Sequence, residues 1–87
     1  MKKIAFNENK NIIHGRPKAL REARGYTQED LAAKMQLLNL AMDQQMISKI
    51  EHNARIVTDC ELVSFCRILE VKEAELTQDY EELAQPL

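Results

Sequence analysis

How this chain folds is decided largely by the stretch Asp43-Gln44-Gln45-Met46-Ile47-Ser48-Lys49-Ile50-Glu51. At helical spacing, its apolar side chains fall on one face and its polar side chains fall on another. The apolar stripe consists of Met46, Ile47 and Ile50, and the polar stripe consists of Gln44, Gln45, Ser48, Lys49 and His52. Asp43 stands where its carboxylate can accept hydrogen bonds from the free N–H groups of the first turn. The stretch therefore predicts a capped amphipathic helix whose exposed stripe carries no carboxylate.

Two successive glutamines at the exposed start of this helix suit the recognition of DNA bases. A glutamine amide donates and accepts a hydrogen bond together, and adenine presents a matching donor at N6 and acceptor at N7 in the major groove. A solvated polar face is the alternative interpretation, and this stretch by itself does not separate the two.

Length and composition favour one small all-α domain. The chain has 87 residues, of which 45% are apolar and 5% aromatic, with only two Gly and two Pro. No apolar run approaches the roughly 20 residues that cross a bilayer. The amino end does not resemble a signal peptide, because polar residues follow its first apolar ones at once. We therefore expect a cytoplasmic protein that does not associate with membranes.

The two cysteines are expected to be free thiols. Cys60 and Cys66 lie in one predicted helix, roughly 9 Å apart along its axis, which exceeds the ~7 Å limit for a disulfide. Free thiols fit a reducing compartment. Neither the cysteines nor the two histidines form the closely spaced pairs of a zinc site, so no metal and no cofactor is predicted.

Charge is distributed unevenly along the chain. Residues 1–55 contain ten basic and six acidic side chains, whereas residues 56–87 contain two basic and eight acidic ones. The two parts therefore carry +4 and −6, which together give the net charge of −2. A basic part can contact phosphates, but +4 is modest, so we expect moderate affinity per monomer and a need for dimerisation.

Capping residues predict four further helices. The first begins near Arg16-Pro17 and stops at Gly25, and the second begins with a capping box from Thr27 to Asp30. The second helix breaks at Asn39 and the third ends at Asn53, and Asn tolerates the left-handed conformation that both positions require. A second capping box joins Thr58 and Glu61 at the start of the fourth helix, and a fifth covers residues 73–77, with residues 78–87 expected to prolong it. The expected core-facing side chains of these helices are Leu31, Ala32, Met35, Leu38, Leu62, Phe65, Cys66, Leu69 and Leu76.

Three separated blocks resemble the Cro/C1-type helix-turn-helix domains of phage repressors and xenobiotic-response-element regulators. They cover residues 20–32, 47–51 and 62–75. The resemblance implies an all-α bundle of five short helices whose third helix lies in the major groove. It places a helix-turn-helix DNA-binding domain at 16–77. The composition of the flanking residues predicts an N-terminal arm at 1–15 and an acidic C-terminal tail at 78–87. The link between the second and third helices is an extended turn, longer than the common form.

The resemblance further implies roles for individual residues. The base-reading positions are Gln44, Gln45, Ser48 and Lys49, and the phosphate-contacting positions are Thr27, Gln28, Asn53 and Arg55. Arg21 and Glu51 match a buried ion pair that ties the first helix to the end of the third. The residues agree with that pairing, because Glu51 lies on the inward edge of its helix and a buried carboxylate needs a partner.

The leading functional hypothesis is a sequence-specific double-stranded-DNA-binding transcriptional regulator, expected to be a repressor. A homodimer would place two recognition helices about 34 Å apart, which predicts a pseudo-palindromic operator. The alternative is a protein-interaction module, such as an antitoxin-like or regulatory partner, that docks through the acidic residues 70–82. An enzyme is not predicted, because no third residue or oxyanion site accompanies Ser48 and His52.

Overall fold

The computed structural model describes residues 8–84, and six helices lie in that range. They are α1 (Arg16–Ala23), α2 (Gln28–Leu37), α3 (Gln44–Glu51), α4 (Asp59–Leu69), α5 (Glu73–Leu76) and α6 (Tyr80–Leu83). The first four have between 8 and 11 residues, whereas α5 and α6 are single turns of 4 residues. The predicted all-α fold class is confirmed, with one short helix more than the expected five.

The helices α2, α3 and α4 begin at the predicted caps. The hydroxyl of Thr27 accepts the Asp30 N–H, and the Asp30 carboxylate accepts the Thr27 N–H in return. This backbone hydrogen bond holds the pKa of Asp30 below its usual value, so the box is intact at neutral pH. Thr58 and Glu61 repeat the arrangement at α4, and Asp43 accepts the Met46 N–H at 2.9 Å at α3. Each such cap stabilises its helix by about 1 kcal/mol.

Left-handed residues follow the first three helices where the sequence predicts breaks. Gly25, Asn39 and Asn53 have φ values of 73°, 67° and 58°. Asn tolerates this conformation better than most residues, and Gly does so without steric cost. Glu70 ends α4 with a φ of 56°, at a position that no local sequence signal marked.

A single core joins α2, α3 and α4 and also receives Ile13 from before α1, Met42 from the link between α2 and α3, and Leu76 from α5. Its buried apolar members are Ile13, Leu31, Ala32, Met35, Met42, Ile47, Ile50, Phe65, Cys66, Leu69 and Leu76. Each large member contributes about 1.5–3 kcal/mol on burial. Leu38 and Leu62, also predicted to face inward, are only half-buried, and Leu62 packs against the edge of this core.

The expected prolongation of the fifth helix does not occur. The helix α5 ends at Leu76, and the Thr77 hydroxyl donates to the Glu73 carbonyl at 3.0 Å. A threonine that bonds its preceding turn in this way competes with regular helix continuation. The Tyr80 N–H then bonds the Thr77 carbonyl at 3.0 Å and starts the separate turn α6. The fraying expected at Pro86 and the first residues of the arm lie outside the described residues.

Candidate nucleic-acid interface

One side of α3 faces away from the core and carries the predicted base-reading residues. Gln44, Gln45 and Lys49 are exposed, and Ser48 is half-buried. Ile47, Ile50 and Glu51 occupy the opposite side and are buried. The amphipathic pattern therefore separates an outward polar surface from the side that fixes the helix in the fold.

A buried ion pair holds the inward side of α3 against α1. Arg21 donates from Nε to Glu51 Oε2 at 2.9 Å and from Nη2 to Oε1 at 3.1 Å, and the Glu51 side chain is 1% exposed. The hydrogen bonds to Glu51 raise the pKa of Arg21 in spite of the opposing effect of burial. A third hydrogen bond from Arg21 Nη1 to the Tyr26 carbonyl ties the pair to the loop before α2.

Gln28 extends this pair to the outer end of α3. Its Nε2 donates to Glu51 Oε1 at 2.9 Å, and its Oε1 accepts a hydrogen bond from Gln44 Nε2. An ionised carboxylate only accepts, so Gln28 must turn its nitrogen to Glu51 and its oxygen to Gln44. Gln44 must then donate one of its two N–H groups inward. The charge of Glu51 thereby fixes the orientation of the Gln44 amide and leaves its oxygen and its second N–H free.

The Ser48 and His52 side chains do not form a nucleophile and base. His52 Nδ1 lies 2.7 Å from the Ser48 carbonyl and 3.4 Å from the Ser48 hydroxyl oxygen. A carbonyl only accepts, so Nδ1 carries the ring proton and donates it to the backbone. That nitrogen therefore has no lone pair with which to take a proton from Ser48.

At the start of α2, Thr27 and Gln28 keep donor capacity despite their internal hydrogen bonds. The Thr27 hydroxyl oxygen accepts within the cap, and its own proton remains available. Gln28 uses one N–H on Glu51 and retains the other. An open depression beside them is lined by Arg21, Glu22, Gly25, Tyr26, Thr27, Gln28, Glu29 and Gln44.

Asn53, expected to contact phosphate, has its side-chain amide engaged within the protein. Its Oδ1 accepts from the Lys10 N–H at 2.9 Å and from the Asn11 N–H at 3.3 Å. Its Nδ2 donates to Asn9 Oδ1 at 2.9 Å. These bonds fasten residues 9–11 to the end of α3, and a phosphate contact from the Asn53 side chain would compete with them.

Arg55 also has an internal partner that the sequence did not reveal. Its guanidinium donates to both Glu61 carboxylate oxygens at 2.9 and 3.1 Å and to the Ile56 carbonyl at 2.9 Å. Burial raises the pKa of Glu61, but the hydrogen bonds from Arg55 and from the Thr58 N–H outweigh it, and the pKa is lowered overall. Arg55 uses three of its five N–H groups in this way, so it retains donors for a phosphate.

Asn11 is a structural residue that sequence reasoning missed. It is buried, and its Nδ2 donates to the Ile50 carbonyl at 3.1 Å and to the Arg55 carbonyl at 2.9 Å. The Ile50 carbonyl also accepts the Asn53 N–H at 3.1 Å, so Asn11 supplies a second donor to a carbonyl at the end of α3. The sequence predicts residues 1–15 as an arm. No local sequence signal distinguishes Asn11 from the neighbouring asparagines in that arm.

A family model described as helix-turn-helix matches residues 18–76. The chain belongs to the Cro/C1-type helix-turn-helix family. This match confirms the resemblance, supports a DNA-binding regulator and does not favour the alternative of a protein-interaction module. It also fits the expectation that the protein is not an enzyme. No curated protein and no solved structure matches the chain significantly.

The extended turn of this helix-turn-helix unit is held at both ends. The Leu40 N–H donates to the Met35 carbonyl at 3.2 Å, and Gln36 Nε2 donates to the Met42 carbonyl at 2.9 Å. Met42 itself is buried in the core. The additional residues therefore do not leave α3 loosely attached to α2.

Within residues 8–84, none of the helices combines the length and the apolar character needed to cross a bilayer.

Proposed function

We propose that the protein is a sequence-specific double-stranded-DNA-binding transcriptional repressor that reads the major groove with α3. The observation that carries this proposal is the series of hydrogen bonds from Arg21 through Glu51 and Gln28 to Gln44. It connects a buried ion pair to the amide expected to meet a base. A merely solvated glutamine would not need its orientation fixed from the protein interior.

The free groups of Gln44 match adenine better than guanine. Adenine requires one acceptor and one donor, and Gln44 retains its oxygen and one N–H. Guanine presents two acceptors at O6 and N7, and a glutamine needs both N–H groups to satisfy them. Because one N–H of Gln44 is committed to Gln28, we expect adenine to be preferred by about 1–3 kcal/mol at the contacted position.

Contacts to phosphate would position α3 without selecting a sequence. Thr27 and Gln28 retain donors at the start of α2, and Arg55 retains donors beyond the end of α3. These two groups lie near opposite ends of α3, where they would contact the two DNA backbones that border a groove. Lys49 is exposed on α3 between them, where its ammonium group would contact a base or a phosphate.

A homodimer on a pseudo-palindromic operator completes the proposal. One short helix reads only a few base pairs, and a two-fold pair would place two copies of α3 about 34 Å apart on one face of the duplex. The modest positive charge of residues 1–55 supports the same view, because a single copy neutralises few phosphates.

Selection of binding sites from random duplex DNA tests the proposal. We expect an enriched inverted repeat with adenine at one position in each half, and a reporter transcribed across that site should be repressed. Replacing Gln44 and Gln45 together by Ala should abolish preference for the selected site while non-specific binding at low salt remains. Preference that survives the double substitution would refute the assignment of the reading residues.

A further inference from the structure

The helix α4 has an exposed side that the fold leaves uncovered. Asp59, Cys60, Val63 and Arg67 recur at helical spacing along it and are all exposed, and Val63 is 55% exposed. The opposite side of the same helix carries buried residues, among them Glu61 and Phe65. A single exposed apolar side chain is ordinary, so the charges on either side of Val63 are the informative feature.

The charges on this side have opposite signs at the two ends. Asp59 lies in the first turn and Arg67 in the last turn, each about 6 Å along the axis from Val63 at a rise of ~1.5 Å per residue. Neither forms an ion pair with another side chain of residues 8–84. Among the described residues, the Asp59 carboxylate accepts only the N–H of its neighbour Cys60, at 2.7 Å.

We infer that this side of α4 is the surface on which a second copy of the chain docks, with the two α4 helices antiparallel about a two-fold axis at Val63. That arrangement puts Asp59 of each copy opposite Arg67 of the other and brings the two Val63 side chains together. A parallel arrangement would set Asp59 against Asp59 and Arg67 against Arg67. The pattern is therefore complementary to itself only in the isologous, antiparallel form.

The inference rests on the proposed homodimer and specifies its interface. Val63 and Cys60 also line a shallow, mostly apolar depression with Asp59 and Ser64, which gives the contact an apolar centre with charged ends. Contact through one helix is small for a protein interface, so we expect weak association in free protein and stronger association on an operator with two half-sites.

Hydrogen bonds connect this interface to the carboxyl end of α3. Glu61, on the inner side of α4, holds Arg55 through two hydrogen bonds, and Asn11 binds the carbonyls of Arg55 and Ile50. Pairing through α4 would therefore fix the separation of the two α3 helices rather than only tether them.

Charge reversal with complementation tests the interface directly in the absence of DNA. Arg67→Glu and Asp59→Arg each place like charges together twice per dimer, so each variant should remain monomeric where wild type associates. An equimolar mixture of the two should associate again, because both contacts in the mixed dimer then join opposite charges. Sedimentation velocity over a concentration series measures all four samples. Single variants that associate like wild type, or a mixture that stays monomeric, would overturn the inference, as would wild type that is monomeric at millimolar concentration.

Disulfide trapping gives a second readout that does not depend on the charges. In a Cys60→Ser background, Val63→Cys places one thiol per copy at the two-fold axis and should give a covalent dimer under mild oxidation. The matched control is Ala33→Cys in the same background, since Ala33 is exposed on α2. Equal dimer yields from the two variants would contradict docking through α4.

The outcomes for the interface and for DNA recognition are separable. Loss of dimerisation in Arg67→Glu, with no sequence preference in the wild-type selection, leaves the interface standing and refutes the proposed function. If an operator is selected but Arg67→Glu associates like wild type, the proposed function is supported and the α4 interface is refuted.

Discussion

The two ends of α3 are fixed by different kinds of polar contact. At the amino end, a line of hydrogen bonds starts at the buried Arg21 and finishes at the exposed amide of Gln44. At the carboxyl end, the side-chain amides of Asn53 and Asn11 form hydrogen bonds within the protein. One end is open to a partner and the other is closed. Under the proposed function the first end is suited to contact a base and the second end anchors α3, because a group that is already satisfied gains little from a new hydrogen bond.

The largest expected effect comes from breaking the ion pair beneath the open end. Glu51→Ala should lower the free energy of unfolding by about 3–5 kcal/mol, because it leaves the Arg21 charge buried without its partner. Urea denaturation measures the loss. Glu22→Ala is the matched control, because Glu22 is exposed on the same helix as Arg21 and should change stability by less than ~0.5 kcal/mol. Equal stability of Glu51→Ala and wild type would refute the structural role of the pair.

A smaller loss is expected at the closed end. Asn11→Ala removes two hydrogen bonds, one to the Arg55 carbonyl and one to the Ile50 carbonyl, which keeps the Asn53 N–H, and should cost about 1–3 kcal/mol. Lys10→Ala, at the exposed neighbouring residue, is the control. Hydrogen exchange should also show faster opening around residues 50–55 in Asn11→Ala, and unchanged exchange there would argue that Asn11 does not anchor α3.

The closed end should also respond to pH through Glu61. Its folded pKa is lowered relative to the ordinary value of 4.5, so its stabilising contribution is complete above that pH and is lost as pH falls through the lower folded pKa. Glu61→Gln should therefore flatten the fall in melting temperature below pH 4.5 relative to wild type. Parallel melting curves for the two proteins across that range would show that Glu61 does not contribute in this way.

The sequence predicted the features of the fold that depend on near neighbours. Asp43, the capping boxes at Thr27 and Thr58 and the left-handed Asn39 and Asn53 involve partners within a few residues, so spacing and residue type suffice. Arg21 and Glu51 are 30 residues apart, and only the family resemblance paired them.

The closed end could not be predicted, because its partners come from distant parts of the chain. Asn11 reaches carbonyls 39 and 44 residues away, and no periodicity encodes such a contact. Glu61 was correctly assigned to a capping box, but the same carboxylate also binds Arg55. The capping-box pattern accounts for the Glu61 carboxylate by itself and does not predict Arg55 as a second partner.

We propose that hydrogen bonds from the interior of the protein orient the Gln44 amide toward a base. The discrimination between adenine and guanine by Gln28→Ala measures this effect. Competition binding should use the selected operator and its adenine-to-guanine variant at the position that Gln44 contacts. Wild type should prefer adenine by roughly 5- to 150-fold, which corresponds to about 1–3 kcal/mol. In Gln28→Ala, Gln44 regains both N–H groups, so the preference should fall severalfold while the protein stays folded. Undiminished discrimination in Gln28→Ala would show that Gln28 does not orient the Gln44 amide.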